Sequence, residues 1–384
     1  MVRTTRPSTL AALLAWVLLL SLPASGSEAA GGEPGDLRIF PRSQFELAAW
    51  AWGAEAAATL SGDLLLVPLG AGGVALYDVA DPRVPQPVAI LDVATLGGQG
   101  GAATALPGER AFVALPDVPT IAVFDLSTPP APVWLGEFGD IEVPLALAVA
   151  GGQLFVQEGS YQGHLGGVHA FDLGPSLPEP EGGYLVELVD PGFAALGGGA
   201  IALARTPGGW TGVASIDVVD LSDPAAPELL GQWSSPLPGN VTGISVAGDR
   251  MFLSAYWGGL WVVDVSDYAA MSLVTSFDWP EPEPYALDVE SVAPYILLLQ
   301  GGPAPEMQRL MVFRLDGGQI AFVDELAATS TPHSIARRDR LLVFEEWFDT
   351  DGDGYPDRKR IRLFELLFVV FADGFESGDT SAWD

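Results

Sequence analysis

Residues 216–224 read Ile-Asp-Val-Val-Asp-Leu-Ser-Asp-Pro, and residues 260–267 read Leu-Trp-Val-Val-Asp-Val-Ser-Asp. Each stretch is a short run of mainly β-branched residues that ends in an Asp followed by turn residues. This pattern is typical of a strand that leads into a tight turn. It occurs five times, with the marker residues Asp78, Asp125, Asp172, Asp220 and Asp264. Two degenerate copies follow, with Arg314 and Glu365 at the marker position.

The markers are 44 to 51 residues apart, and each is flanked on both sides by further short apolar runs. A period of this length with several strands per unit is typical of β-propellers. We therefore predict an all-β fold, a β-propeller of about seven four-stranded blades over residues 37–371. Six or eight blades stay possible because the last two markers have lost the Asp. No sustained 3.6-residue periodicity follows residue 26, so almost no helix is expected.

The marker carboxylates precede turns in which a short acidic side chain can accept backbone N–H groups. We therefore expect them to stabilise turns and not to form a catalytic ring. The segment Leu37 to Trp50 precedes the first full repeat, and we predict that it closes the ring by completing the last blade.

The marker segments resemble the LVIVD repeat, a propeller repeat of secreted and surface-exposed bacterial proteins whose strand ends in Val-x-Asp-x-Ser-x-Pro. The best copies are residues 219–224 and 263–267. The resemblance covers residues 37–367 and implies the propeller fold. It implies little about activity, since propellers serve many functions.

Residues 1–26 have the pattern of a secretory signal peptide: Arg3 and Arg6, an apolar run over 10–22, and small residues at 24–26. The apolar run is shorter than the roughly 20 residues that cross a bilayer. We predict a mature chain from Ser27, a linker over 27–36 and no membrane span after cleavage. The expected location is secreted, periplasmic or at the cell surface.

The composition excludes some partners. The chain has no Cys, so it forms no disulfides, and its formal net charge is -32. Such a charge repels nucleic acids and anionic membranes, which are bound through Lys and Arg. We expect neither partner, and we expect a monomer.

The strongest chemical motif is Asp349-Thr-Asp351-Gly-Asp353-Gly-Tyr355-Pro-Asp357. Carboxylates at positions 1, 3, 5 and 9, with the carbonyl at position 7, are suited to Ca²⁺. Position 12 is Arg360, and β-rich runs flank the loop, so it is not an EF-hand. It resembles the calcium-binding hairpin loops of integrin-type propellers and dockerin-like modules, which implies a structural Ca²⁺ ion. The predicted ligands are Asp349, Asp351, Asp353, Tyr355 and Asp357.

Aromatic residues concentrate in the middle of the chain, and most are expected in the core. Tyr256 and Trp257 are the predicted ligand patch, because Tyr256-Trp257-Gly-Gly has the composition of a turn. His164 and His169 are five residues apart, which fits neither a strand face nor a helix turn, so no metal is expected there or at His333. The sequence has no Gly-x-Ser-x-Gly elbow, no Cys nucleophile and no phosphate-binding loop, and no catalytic residue is assigned.

The tail, residues 372–384, resembles a short Gly-Phe-Glu-Ser-Gly-Asp-Thr-Ser-x-Trp sequence found on many unrelated exported bacterial proteins. It is either a sorting or attachment signal or a solvent-exposed terminus.

Three functional hypotheses follow. The first is a non-enzymatic, calcium-stabilised binding or adhesion module for an unknown protein or glycan ligand. The second is a lactonase-like propeller hydrolase, which needs convergent polar side chains in the central channel. The third is a passive structural envelope protein, which would lack an exposed aromatic patch.

Overall fold

The computed structural model describes residues 37–48, 56–93, 101–106, 109–115, 118–141, 143–159, 165–174, 177–187, 189–197, 199–206, 212–237, 239–279, 284–350 and 357–368. In this part of the chain the repeats form seven antiparallel four-stranded sheets, the blades of a β-propeller ring. The predicted fold class and the blade number of seven are confirmed.

The first three blades follow the chain in order. Blade 1 contains β2 (Thr59–Ser61), β3 (Leu64–Pro68), β4 (Val74–Asp78) and β5 (Gln86–Leu91). Blade 2 contains β6 (Ala103–Leu106), β7 (Arg110–Leu115), β8 (Thr120–Asp125) and β9 (Val133–Phe138). Blade 3 contains β10 (Pro144–Ala150), β11 (Gln153–Glu158), β12 (Gly166–Asp172) and β13 (Glu179–Val186).

The next three blades repeat this order. Blade 4 contains β14 (Val189–Gly197), β15 (Ala200–Arg205), β16 (Ser215–Asp220) and β17 (Glu228–Ser234). Blade 5 contains β18 (Val241–Ala247), β19 (Arg250–Ala255), β20 (Gly259–Asp264) and β21 (Ser272–Phe277). Blade 6 contains β22 (Tyr285–Val292), β23 (Tyr295–Gly301), β24 (Arg309–Asp316) and β25 (Gln319–Ala327).

Blade 7 combines the two ends of the described chain. It contains β26 (Thr331–Arg338), β27 (Leu341–Phe348), β28 (Arg358–Phe368) and, as its outer strand, β1 (Leu37–Ala48). Among the described residues, helix is limited to two 3-10 turns, Tyr268–Ala270 and Pro305–Met307.

The blades surround a central channel. The first strands of consecutive blades contact one another all the way round the ring, from β2 through β26 and back to β2. The second and third strands are sandwiched between neighbouring blades, so their apolar runs are buried on both faces; β23, for example, is buried along its whole length. This is why the marker strands are continuous apolar runs and not alternating ones.

The first and last described strands close the ring, as predicted for the segment Leu37 to Trp50. β1 pairs antiparallel with β28 from Leu37 opposite Phe368 to Ala48 opposite Arg358. Residues 49 and 50 lie outside the described ranges. Phe45 is buried and stacks on Tyr77 of blade 1 with a ring-centroid distance of 4.4 Å. The closing strand thus joins blade 7 to blade 1 by packing as well as by pairing.

Two glycines allow neighbouring blades to approach closely at their outer strands. A Cβ atom at Gly182 of β13 would lie 2.0 Å from the carbonyl oxygen of Pro224, and one at Gly231 of β17 would lie 1.8 Å from that of Tyr268. Both carbonyls belong to the marker turn of the next blade. The outer strand of one blade therefore accommodates the marker turn of its neighbour through the missing side chain.

Candidate functional site

The two faces of the ring carry different turns. Because the strands alternate in direction, the turns between second and third strands and the connections to the next blade share one face, here called the upper face. The turns between third and fourth strands lie on the opposite, lower face. The Tyr256-Trp257 turn, the start of β22, and the end of β27 and start of β28 are all on the upper face.

Three rings form an aromatic patch on the upper face: Tyr256, Trp257 and Tyr285. The rings of Tyr256 and Tyr285 are stacked, with centroids 4.7 Å apart and an interplanar angle of 11°. Trp257 meets Tyr256 edge-on at 4.7 Å and 87°. Its side chain is nevertheless 49% exposed. The patch therefore consists of two stacked tyrosines and an accessible indole that meets both of them edge-on.

The backbone fixes this arrangement. Residues 256–258 form the turn between β19 and β20, as predicted. The Ala286 N–H donates to the Tyr256 carbonyl at 2.8 Å, which ties the turn to the start of β22. A Cβ at Gly301 would lie 2.2 Å from the Tyr285 ring, so glycine leaves room for that ring. Burial first, and then the neighbouring Tyr285, raise the pKa of Tyr256. Tyr285 was missed by the sequence analysis because it is far from the turn along the chain.

The ends of the predicted calcium loop meet at the base of one hairpin. The Asp357 N–H donates to the Phe348 carbonyl at 3.2 Å, and the Thr350 N–H donates to Asp357 Oδ1 at 2.9 Å. Asp349 and Asp357 therefore stand at the two ends of a closed turn. Asp351, Asp353 and Tyr355 lie outside the described residues. The Thr350 hydroxyl also donates to Asp357 Oδ2, so both oxygens of this carboxylate accept hydrogen bonds from Thr350.

Beneath that hairpin lies a buried ion pair that the sequence analysis missed. Lys359 Nζ is 2.7 Å from Glu345 Oε1, and the two side chains are 1% and 0% exposed. The Ala58 N–H donates to Glu345 Oε2 at 2.7 Å, and Lys359 donates to the Ala56 carbonyl at 2.9 Å. The pair thus links blade 7 to the segment that leads into blade 1.

The surroundings lower the pKa of both members of this ion pair; for Lys359 burial is the main cause, and the attraction of Glu345 opposes it. Burial alone would raise the pKa of Glu345, but the charges of Lys359 and His333 and the hydrogen bonds from Lys359 and Trp347 outweigh it and lower the pKa to about 2. The sequence does contain an indication of this pair. Lys359 is the only lysine in the chain, and Glu345 and Glu346 interrupt an apolar run.

Two carboxyl groups lie between the first strands of blades 5, 6 and 7 and are here called the channel acid pair. Asp288 and Glu290 are both on β22. Asp288 Oδ2 accepts the Ile335 N–H of β26 at 3.1 Å. Glu290 Oε2 is 3.4 Å from Ser245 Oγ of β18 and 4.0 Å from Arg337 Nε of β26.

The pKa values of the channel acid pair are raised. Burial raises the pKa of Asp288 to about 7, against hydrogen bonds from Ile335 and Val289 that lower it, and Glu345 adds to the rise. Burial also raises the pKa of Glu290 to about 7, with Asp288 adding to the rise and Arg337 opposing it. Neither residue of this pair is recognisable from the sequence, because Asp-Val-Glu in an apolar strand matches no known motif.

Four of the five marker aspartates, Asp78, Asp125, Asp220 and Asp264, accept backbone N–H groups in the lower-face turns, as predicted. Asp125 accepts the Ser127 N–H at 2.7 Å, Asp220 that of Ser222 at 2.8 Å and Asp264 that of Ser266 at 2.9 Å. These hydrogen bonds to Ser lower the pKa of all three groups.

The histidines have ordinary protein surroundings where they are described. His169 Nε2 is 2.7 Å from Glu158 Oε2, and His333 stacks on Trp347 with centroids 3.8 Å apart. His164 lies outside the described residues. Within the described ranges no three His, Asp or Glu side chains converge in a way that could hold a metal ion. The same part of the chain has no helix long and apolar enough to cross a membrane.

The comparisons with known proteins agree with this architecture. The LVIVD repeat family matches residues 210–234 and 238–278, which include β16 and β17 of blade 4 and all of blade 5. The chain is thus a seven-bladed β-propeller in which these two stretches match the LVIVD repeat. Among curated proteins, no match to the chain is found.

A solved structure of similar fold is that of the computationally designed Ika8 protein. The TM-score is 0.54 and the identity 12%, over 81% of this chain and 83% of that chain. At this identity the likeness shows the fold alone.

Proposed function

We propose that the chain is a non-enzymatic binding module, secreted or at the cell surface, that recognises a neutral glycan through the aromatic patch. The observation that carries this proposal is the exposed indole of Trp257, held in place by the stacked rings of Tyr256 and Tyr285. A preorganised, exposed aromatic side chain offers contact area at little entropic cost. A passive envelope protein has no use for such a patch.

Charge and shape favour a neutral glycan among possible ligands. The net charge of -32 disfavours anionic ligands through long-range repulsion. The C–H face of a hexose ring can pack on the flat, exposed indole of Trp257. A folded protein partner would need a larger complementary surface than three rings provide.

The test is a binding measurement with the mature chain and a panel of immobilised neutral hexose oligomers, sialylated glycans and sulfated glycans. Trp257→Ala should abolish binding to a neutral oligomer. The matched control is Trp134→Ala on β9, because Trp134 is also 49% exposed but lies far from the patch in sequence and on an outer strand. Binding to no member of the panel, or equal loss in both variants, would refute the proposal; binding only to a purified protein would replace the ligand class.

We further propose that Ca²⁺ stabilises blade 7 through Asp349, Asp351, Asp353, Asp357 and the Tyr355 carbonyl. Four carboxylates within nine residues repel one another unless a cation neutralises them. The closed hairpin base between Phe348 and Asp357 supports this assignment.

Calorimetric melting with Ca²⁺ and with a chelator tests the metal. At about 100 times the dissociation constant, Ca²⁺ should add roughly 2.7 kcal/mol of stability. Asp351→Ala should remove that gain, whereas Asp249→Ala, on an exposed turn of blade 5, should keep it. Coincident melting curves of the unmodified chain in the two conditions would show that the loop is only an acidic turn.

Export is the third part of the proposal, and it rests on residues 1–26, outside the described ranges. N-terminal sequencing of the exported protein should begin near Ser27. Recovery of a chain that begins at Met1 would contradict it.

The hydrolase alternative is favoured by one observation, the channel acid pair with its raised pKa values, since catalytic acids are commonly tuned in this way. Hydrolysis of lactone and ester substrates by the mature chain, lost in Asp288→Asn, would establish it. If none of these substrates is hydrolysed, the hydrolase alternative is rejected and the binding function remains.

A further inference from the structure

The channel acid pair contacts the blades on both sides of its own blade. Asp288 reaches forward to the Ile335 N–H of blade 7, and Glu290 reaches back to Ser245 of blade 5 and forward to Arg337 of blade 7. On the blade 5 side, Gly243 leaves space for Asp288: a Cβ there would be 2.6 Å from Asp288 Oδ1. The two carboxyl groups therefore sit at the joint of three blades.

Few cations face this joint. From β18 and β19 the neighbours are Gly243, Ser245 and Ser254, which are uncharged. From β26 the charged neighbour is Arg337, whose Nε is 4.0 Å from Glu290.

From β27 the charged neighbour is Glu345, whose carboxylate is engaged by Lys359 of β28 and lies in the field of His333. Ionisation of both Asp288 and Glu290 thus places two negative charges near a third carboxylate, with Arg337 as the adjacent cation and with Glu290 26% exposed. This repulsion weakens the contacts between blades 5, 6 and 7.

The same strand continues into the aromatic patch. Tyr285 begins β22, and the next residue, Ala286, donates its N–H to the Tyr256 carbonyl at 2.8 Å. The Ala286 carbonyl accepts the Thr242 hydroxyl of blade 5 at 3.1 Å. A change in how β22 packs between its neighbours therefore acts on the Tyr256–Tyr285 stack.

We propose that Asp288 and Glu290 are a proton-sensitive joint of the ring. The contacts to Ile335, Ser245 and Arg337 tie blades 5, 6 and 7 together in either state, because the carboxyl groups accept in all of them. When both carboxyls are ionised, their mutual repulsion loosens the joint and, with it, the stack of Tyr285 on Tyr256. The consequence for ligand affinity rests on the function proposed above, whereas the joint itself does not.

The direction of the pH effect follows from linkage. In the unfolded chain these groups ionise near pH 4, and in the folded ring they keep a proton up to about pH 7. Between these values the folded state binds more protons than the unfolded state, so stability falls as pH rises through this window. Above about pH 7 their contribution is constant.

The first experiment is melting of the chelator-treated mature chain from about pH 5 to about pH 8. The unmodified chain should lose a few degrees more of melting temperature over this range than Asp288→Asn/Glu290→Gln does. The control Asp249→Asn removes an exposed charge and should follow the unmodified profile. Identical profiles for the double variant and the unmodified chain would overturn the joint.

Should the double variant fail to fold, carbon-13 carboxyl NMR of the unmodified chain decides the matter. At least one apparent pKa above about 6 is expected from the pair. Titration of every carboxyl below about 5 would overturn the joint.

The second experiment follows the patch without any ligand. Near-ultraviolet circular dichroism of the tyrosines should change between about pH 6 and about pH 8 in the unmodified chain. The double variant should lose that change, and Tyr285→Leu should lose it too. A dichroism signal that does not depend on pH would show that ionisation of Asp288 and Glu290 does not affect the Tyr256–Tyr285 stack.

Binding of maltohexaose at both pH values is the last arm, with several-fold weaker affinity expected at the higher pH and none of this dependence in the double variant. Absence of binding at either pH refutes the glycan function alone, because the melting and dichroism arms still decide the joint. Equal affinity at both pH values overturns the link to binding.

Discussion

A single buried lysine shows how one residue can hold a ring together. Lys359 and Glu345 are both almost fully buried, and each also bonds to the backbone ahead of blade 1, at Ala56 and Ala58. Burying two charges costs several kcal/mol of desolvation per ion, which the mutual attraction and the additional hydrogen bonds offset. Removal of one partner leaves the other charge buried without compensation.

Lys359→Met should therefore lower the free energy of unfolding by about 3–5 kcal/mol, measured by urea denaturation. Glu345→Gln/Lys359→Met should cost less than the single change, because no lone charge remains. Arg338→Met is the control: its partner Asp63 is 64% exposed, and surface pairs contribute under about 1 kcal/mol. Equal losses for Lys359→Met and Arg338→Met would contradict this account.

At the scale of one element, the closing strand β1 carries one buried and one exposed phenylalanine, which can be compared directly. Phe45 is 1% exposed and stacks on Tyr77 of blade 1, whereas Phe40 on the same strand is 41% exposed. Both residues pair with β28, Phe40 opposite Glu365 and Phe45 opposite Ile361, on either side of a register shift between Pro41 and Ser43.

Phe45→Ala should lower the free energy of unfolding by about 3–5 kcal/mol, since it creates a cavity between the last and first blades. Phe40→Ala leaves the same backbone pairing and should cost less than about 1 kcal/mol. Thermal or denaturant unfolding of the two variants measures the difference. A similar loss in both would mean that β1 closes the ring by pairing alone.

The strands themselves were predictable because the same short apolar run recurs at a regular spacing, whereas a single copy could be assigned to a strand or to a buried helix. Residues 216–220 and 260–264 are interpretable as strands only when their copies are seen together. The closing segment could be predicted from topology, since a ring of identical units needs a partner for its last blade.

The contacts between blades were not predictable. The first strands β10, β18, β22 and β26 each contain a register shift near the upper face, for example between Ala286 and Asp288. Such a bulge changes the direction of the side chain that follows it. The position of the bulge depends on packing against the neighbouring blade. The positions of Asp288 and Tyr285 therefore follow from packing that no local pattern encodes.

At the scale of the whole molecule, charge opposes compactness. The formal net charge is -32, with 49 acidic and 17 basic residues. Self-repulsion of this size destabilises a compact chain, and salt screens it over about 10 Å at 0.1 M.

The melting temperature should consequently rise when sodium chloride is increased from about 20 mM to about 0.5 M, with a chelator present so that calcium does not contribute. Sodium sulfate at equal ionic strength serves as a comparison for ion-specific effects. A melting temperature that stays level or falls in sodium chloride would show that local ion pairs, such as Arg42 with Glu365, outweigh the overall repulsion.

The isolation of Lys359 also has a practical consequence in labelling chemistry. It is the only lysine in the sequence, and its ammonium group is enclosed. An amine-reactive ester thus meets no side-chain amine on the surface of the closed ring. A dye or a bead that is coupled through amines is therefore directed to the α-amino group. Modification of Lys359 would require blade 7 to separate from blade 1, so it reports opening of the ring.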